Sequence, residues 1–296
     1  MSELKMKDGF YPALGTPTDG SGRLIVKSFR NQIDSMIGSG ASGILCLGSM
    51  GKMASVRNNE YSNITKQCVA AVKGRIPVMV GVMDCSADRV LDRIDALDNI
   101  VIDGVVATSP FYSVLNAVKI KNFFKLLSEK SGYPVYIYDL PSVTQSPITG
   151  DILNYLMKLP NIKGVKTANI NLILDLHRNG LVRNDFSVFY SGLDSFDAAI
   201  FSGIKKNLDG MFTCTPYNSK MMYADIENND HKKISYHLNN IITLRNIFLK
   251  ESVMSAYSYS MGLLGCPGNY HPDYDMQISD NLKEEIYGFM KSIKEI

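Results

Sequence analysis

The chain alternates short, nearly continuous apolar runs with longer segments in which apolar residues recur every three or four positions. The runs are "GFYPALGTP" (9–17), "GILCLG" (43–48), "PVMVGVMD" (77–84), "DGVVATSP" (103–110), "PVYIYDLP" (134–141), "IKGVKTA" (162–168), "SVFYSGLD" (187–194) and "DGMFTCTP" (209–216). A strand with one wet face alternates apolar with polar residues. These do not, so they read as strands covered on both faces. Helical spacing marks Leu24 to Ile37, Asn59 to Val72, Ala87 to Leu97, Val118 to Leu127, Ile152 to Met157 and Leu172 to Leu176. Eight strand-and-helix units in succession predict an all-parallel sheet closed into an α/β (β/α)8 TIM barrel. The doubly wound alternative asks for a glycine-rich nucleotide loop after the first strand, and "ALGTPTDGSG" lacks that spacing. After Pro216 the strand pattern stops. Residues 218–249, 251–264 and 279–295 read as helices broken by "GLLGCPGNYHPDYD". The expected organisation is a barrel over 1–216 with a C-terminal helical extension over 217–296 packed on it.

Composition narrows the partners. A chain of 296 residues can bury a large core without disulfides or metals. Its 31 Lys+Arg and 29 Asp+Glu are scattered and leave a net charge of +2, which predicts neither nucleic acid nor a membrane surface as partner. Cys46, Cys68, Cys85, Cys214 and Cys266 are odd in number and form no CxxC pair, so they read as small hydrophobes in a reducing compartment. "MSELKMKDGFYPALGTP" has no apolar signal region, and no run reaches the roughly 18 apolar residues of a membrane span. A soluble, cytoplasmic protein is expected.

In a (β/α)8 barrel the reacting groups lie at the C-terminal ends of the strands. Those ends supply Ser49, Tyr112, Tyr138, Lys166 and Asp194. His177, His231, His237 and His271 fall in helices or the tail, so no metal cluster is expected and a hydrolytic metal mechanism is disfavoured. Lys166 is the main candidate. An apolar barrel mouth disfavours an ammonium and leaves an amine free to attack a carbonyl. The competing reading has Lys166 snorkel to solvent or pair with a carboxylate such as Asp139. Lys163 precedes the apolar stretch and reads as a solvated loop residue. Tyr138, on the neighbouring strand, is a phenol able to carry the protons that imine chemistry moves, or else an amphipathic core residue. Tyr136 shares its face but lies deeper in the strand. In "LGSMGKM" (47–53), glycines bracket Ser49 and Met50, letting backbone N–H groups and a hydroxyl approach a carboxylate; an ordinary βα turn has the same look.

Taken together, "ALGTPTD", "GSMGK", "SPFY" (109–112), "YDLP" (138–141), "GVKT" (164–167) and "SGLD" (191–194), in this order and followed by a helical tail, resemble the dihydrodipicolinate synthase and N-acetylneuraminate lyase family. The resemblance implies a class I aldolase acting on pyruvate through a Schiff base, with no cofactor. It implies Lys166 as the imine-forming residue, Tyr138 as the proton carrier, and Ser49 with the Met50 backbone N–H as the pyruvate-carboxylate site. Tyr112 would be a relay tyrosine reaching a neighbouring subunit's site, hence a homotetramer built as a dimer of dimers. Gly192, Asp194 and Ser195 would bind the rest of the substrate, with Asp194 and Ser195 meeting a polyol hydroxyl.

The departures bear on the second substrate. Val143 stands where dihydrodipicolinate synthases carry an arginine, which disfavours the lysine-biosynthetic reaction and favours a sialate-lyase-like branch. That branch's Asp-Glu pair is here Asp194-Ser195, and its threonine two places past the lysine is Ala168. Met50 replaces a hydroxyl residue. Lys52 replaces a glutamate, read either as a surface change or as positive charge brought toward an acidic substrate. Tyr270-His271-Pro272 stands where many members have Arg-x-Pro. The substrates expected are pyruvate with an aldehyde, or a 2-keto acid. The rival readings are a 2-keto-3-deoxy sugar acid aldolase or dehydratase, and a non-catalytic keto-acid-binding paralogue.

Overall fold

The computed structural model describes residues 6–296. Eight parallel strands form one sheet: β1 (Gly9–Pro12), β2 (Ile44–Cys46), β3 (Val78–Gly81), β4 (Gly104–Thr108), β5 (Val135–Tyr138), β6 (Ile162–Thr167), β7 (Ser187–Tyr190) and β8 (Lys206–Asp209). They run in the spatial order β1-β8-β7-β6-β5-β4-β3-β2. A parallel bridge from Ala13 to Leu45, with Leu14 N donating to Leu45 O at 2.9 Å, ties β1 to β2 and brings the sheet round into a barrel. Between the strands lie α1 (Val26–Gly38), α2 (Asn58–Val72), α3 (Ala87–Asp95), α4 (Ala117–Lys130), α5 (Pro141–Thr144), α6 (Gly150–Leu156), α7 (Ile170–Arg178) and α8 (Phe196–Phe201). The tail folds as α9 (Pro216–Glu227), α10 (His231–Phe248), α11 (Val253–Leu263) and α12 (Asp280–Ser292). No helix among the described residues is long and apolar enough to cross a membrane.

Helix starts follow local chemistry. The side chains of Ser86, Asn116, Thr149, Asn169, Asp230, Ser252 and Ser279 each accept a hydrogen bond from a backbone N–H of the first turn they precede. Each such cap contributes about 1 kcal/mol. Asp230 explains why the helix expected over 218–249 is two. Asn229 turns into the left-handed region at φ 54°, and Asp230 then caps a fresh helix. α9 packs on the barrel at β1, with the Tyr223 and Phe10 rings 5.1 Å apart.

The eighth strand lies earlier than expected. "DGMFTCTP" is not a strand: β8 is Lys206–Asp209, and 211–213 form a 3-10 turn begun by Asp209 Oδ1 accepting from Met211 N at 2.8 Å. The polar residues hid it. Lys206 is neutralised at the strand's start by Asp8 at 3.0 Å, while buried Met211, Phe212 and Cys214 belong to the turn beyond. Cys46, Cys68, Cys214 and Cys266 are buried as expected of small hydrophobes, but Cys85 is exposed.

Inside the barrel an aromatic layer lies below the catalytic end. Phe189 meets Tyr11 with ring centroids 4.8 Å apart and Tyr136 at 6.0 Å. Tyr136 fits because its neighbour in the register is Gly164, where a Cβ would come within 2.6 Å of the ring. The glycine of "IKGVKT" is therefore the space the deeper tyrosine occupies, and Lys166 stands one inward position above it.

Candidate active site

β5 and β6 pair with Val135 opposite Ile162, then Tyr136 opposite Gly164, so the register shifts by one residue at Lys163. That bulge sets the site. Continued without it, the pairing would put Tyr138 opposite Val165; with it, Tyr138 faces Lys166. Paired residues on parallel strands share a face, and the Lys166 Nζ lies 3.5 Å from the Tyr138 ring centroid. Both residues are 7% exposed. The electron-rich ring face attracts the side chain in its ammonium form. Lys163 points elsewhere, donating to Asp185 at 2.7 Å.

Asp139 does not take Lys166 as its partner. Its Oδ1 accepts from Ile148 N at 3.0 Å and its Oδ2 from Thr167 Oγ1 at 2.7 Å, and burial raises its pKa. The carboxylate facing Lys166 electrostatically is Asp209, at the end of β8. Burial pushes the Asp209 carboxyl up, opposed by the Met211 N–H and by the charge of Lys166. Neither the sequence pattern nor the apolar-run reading singled out Asp209, because it was assigned to a strand's start and not its end.

Thr108 was also missed. It ends β4, is the register partner of Tyr138, and its buried Oγ1 has no hydrogen-bond partner among the described residues. The signal was a hydroxyl closing the apolar run "GVVAT". Thr108 also lines a cleft of about 230 Å³ over the barrel mouth, together with Ser49, Lys52, Phe111 and Val143. Thr108, Tyr138 and Lys166 are register partners in turn across β4, β5 and β6, and of the three Thr108 lines the cleft.

Ser49 is exposed on the cleft wall, and its carbonyl accepts from Lys52 N at 3.0 Å in a tight turn. The Met50 side chain lies over Gly210 at the end of β8, close enough that a Cβ on Gly210 would come within 2.9 Å of the Met50 methyl. Tyr112 follows β4 and is 88% exposed. The strand-seven group is engaged in packing. Asp194 accepts from Arg245 of α10 through both carboxylate oxygens, each at 2.6 Å, which holds its carboxyl below the usual range. Ser195 is hydrogen-bonded to buried Tyr190, and a side chain on Gly192 would run into the Tyr190 ring. None of these three lines the cleft.

Lys52 is neither a surface change nor a charge aimed at substrate. It is 9% exposed, and its ammonium donates to Thr18 Oγ1 at 2.6 Å, Asn269 O at 2.9 Å and His271 O at 3.4 Å. An ammonium has three donors, so all are engaged. The residue stitches the Ser49 turn to the segment after β1 and to "NYHP" of the tail. Burial pushes Lys52 down to about 8, against an opposing effect of the Asp273 charge. Between about pH 8 and the ordinary 10.5 the folded chain then binds fewer protons at this site than the unfolded chain, so the contribution of Lys52 to stability rises with pH across that window. Urea midpoints of wild type and Lys52→Met should diverge in favour of wild type from about pH 7 to about pH 10. A pH-independent gap would show an ordinary lysine.

The sequence profile of the Dihydrodipicolinate synthetase family matches residues 6–286. The chain is 24% identical over 261 residues to the 4-hydroxy-tetrahydrodipicolinate synthase of Bradyrhizobium diazoefficiens, covering 87% of this chain and 86% of that protein. It is 29% identical to the protein of the same name from Methanococcus maripaludis over 165 residues, 55% of this chain and 57% of the other. Among solved structures, one described as the first monomeric dihydrodipicolinate synthase variant superposes with a TM-score of 0.90 at 19% identity over 100% of both chains. The dihydrodipicolinate synthase of Acinetobacter baumannii complexed with pyruvate gives 0.88 at 19% identity over 99% of this chain and 100% of that one. A prophage protein of the dihydrodipicolinic acid synthase family from E. coli K12, also in complex with pyruvate, gives 0.89 at 18% identity over 98% and 99%. At these identities the structural likeness speaks for the fold.

Proposed function

Because this chain belongs to the dihydrodipicolinate synthetase family, whose members are lyase- and aldolase-type enzymes, we propose that it is a pyruvate-dependent class I aldolase with Lys166 as its Schiff-base nucleophile. The observation that carries this reading is the buried Lys166 amine, 3.5 Å from the centroid of the Tyr138 ring and not spent on Asp139. A buried lysine at a strand's catalytic end, set against a phenol ring and making no hydrogen bond to Asp139, is placed to attack a carbonyl.

Lys166 attacks C2 of pyruvate, or of a 2-keto acid, and water leaves with protons carried by Tyr138. Ser49 and the Met50 backbone N–H hold the keto acid's carboxylate. In the cleavage direction the imine draws electrons from the breaking C3–C4 bond while Tyr138 takes the proton of the C4 hydroxyl; in condensation the same steps reverse. Val143, exposed on the cleft wall, supports a branch other than the synthases that hold a second carboxylate with arginine there. A sialate-lyase-like or keto-deoxy sugar acid reaction draws less support from Asp194, whose oxygens are both on Arg245.

Borohydride reduction in the presence of pyruvate, followed by intact mass and peptide mapping, tests the proposal. An adduct on Lys166 is expected. Its absence, under conditions that label a known family member, would leave only the reading of a non-catalytic paralogue.

Tyr112, 88% exposed, is proposed to complete the site of a neighbouring subunit in a homotetramer built as a dimer of dimers. Sedimentation should then show an oligomer at working concentration, and a fully active monomer would remove Tyr112 from the mechanism.

A further inference from the structure

The cleft beside Thr108 says what kind of carbonyl partner fits. It holds about 230 Å³, and apolar side chains dominate its wall: Met83, Phe111, Leu140, Val143, Met254 and Tyr274. Among the described residues lining it, Lys52 is the one charged group, and the three donors of that ammonium are already committed to Thr18, Asn269 and His271. No free cation is offered to a second carboxylate. Nor does the wall carry a carboxylate or amide to read a chain of hydroxyls; its remaining polar groups are the hydroxyls of Ser49, Ser55, Thr108 and Tyr274, with Ser49 already assigned to the keto acid.

Thr108 is the exception to the apolar lining and points to where one oxygen sits. The residue is 3% exposed, and its buried Oγ1 is without a partner among the described residues. A buried hydroxyl left unpaired costs free energy that a ligand oxygen recovers on binding. Its register partner is Tyr138, so an oxygen bound there lies beside the proposed proton carrier.

We propose that the carbonyl partner is a small aldehyde with an unsubstituted alkyl or aryl tail, the tail in this cleft and the aldehyde oxygen on Thr108. This deepens, and rests on, the imine reading above. The reaction balances without a co-reactant. C3 of the pyruvate enamine on Lys166 bonds to the aldehyde carbon, the carbonyl π pair moves to oxygen, and that oxygen takes a proton through Tyr138. Water then hydrolyses the imine, returning the Lys166 amine and releasing a 4-hydroxy-2-keto acid with the apolar group on C4.

The test incubates the full-length protein and pyruvate with benzaldehyde, isobutyraldehyde, succinic semialdehyde and glyceraldehyde, and follows product by mass, alongside borohydride trapping with pyruvate alone. The expected kcat/KM for the apolar pair exceeds that for the other two by about tenfold or more, the scale on which an apolar pocket rewards a matching group. Val143→Arg should reverse the order of benzaldehyde and succinic semialdehyde, because a guanidinium then faces the cleft. Thr108→Val should lower kcat/KM for benzaldehyde about tenfold, the scale of one lost hydrogen bond, and Thr108→Ser should restore it. A Lys166 adduct with pyruvate but preference for the acidic or hydroxylated aldehyde, or turnover of none of the four, overturns this inference alone. No adduct overturns the imine reading and this inference with it.

Discussion

Lys166→Met is expected to lose turnover by about 10⁴- to 10⁶-fold, the scale on which enzymes fail when a covalent nucleophile is removed. It should also lose the borohydride adduct. Methionine keeps most of the stem and its packing but has no amine. Stability should move the other way. The wild-type side chain is 7% exposed, and its amine rests on a ring face with Asp139 committed elsewhere. Methionine removes that group's desolvation cost, and buried Asp209, which loses the opposing charge of Lys166, can take the neutral form that burial favours, so the net change is small or stabilising. An inactive variant with an unchanged or raised melting temperature is therefore the signature of a lysine kept for chemistry. Turnover within tenfold of wild type would end its candidacy as nucleophile.

Tyr138→Phe separates the ring from the hydroxyl. The contact to Lys166 is made by the ring face, at 3.5 Å from its centroid, and phenylalanine retains that face. Fold and lysine placement should survive, so the loss reports the proton carrier alone. Turnover should fall by roughly 10² to 10⁴, the range attributed to a positioned acid–base group. The borohydride adduct should still form, more slowly, since imine formation needs the amine first and the relay second. A variant that turns over nearly as fast as wild type would assign the proton transfers to another group, with Asp209 and Thr108 the neighbours to examine.

Much of the site was legible because barrel strands announce their own ends. A hydroxyl, phenol or amine closing a run of apolar residues marks the C-terminal rim of a barrel, and Ser49, Tyr138 and Lys166 are candidates on that ground. Thr108 carries the same mark in "GVVAT", but the run read from the sequence continues through "SP" and hides that the strand ends at Thr108. Asp209 was passed over for a different reason: β8 contains Lys206, Asn207 and Asp209, so the apolar rule placed the strand three residues too late. For Asp194 and Lys52, charge alone does not tell a group that meets substrate from one that holds the protein together. Asp194 is clasped by Arg245, fifty-one residues away in the chain, and Lys52 is tied to Asn269 and His271, more than two hundred away.

The local sequence by itself determined the eight-strand succession in outline, the helical character of the tail, and which strand ends carry an amine and a phenol. These depend on spacing within a run, which side-chain alternation and helical periodicity express residue by residue. Only the tertiary structure decided that Lys166 faces Tyr138. The two residues lie on different strands, and their pairing turns on a single bulge at Lys163, without which Val165 would stand in that place. The tertiary structure likewise decided that the second lysine of the barrel mouth, Lys52, is spent on backbone carbonyls. The physical reason is the same in both cases: register and partner choice are settled by contacts between segments far apart in the chain, and a one-residue slip reverses which side chains look inward.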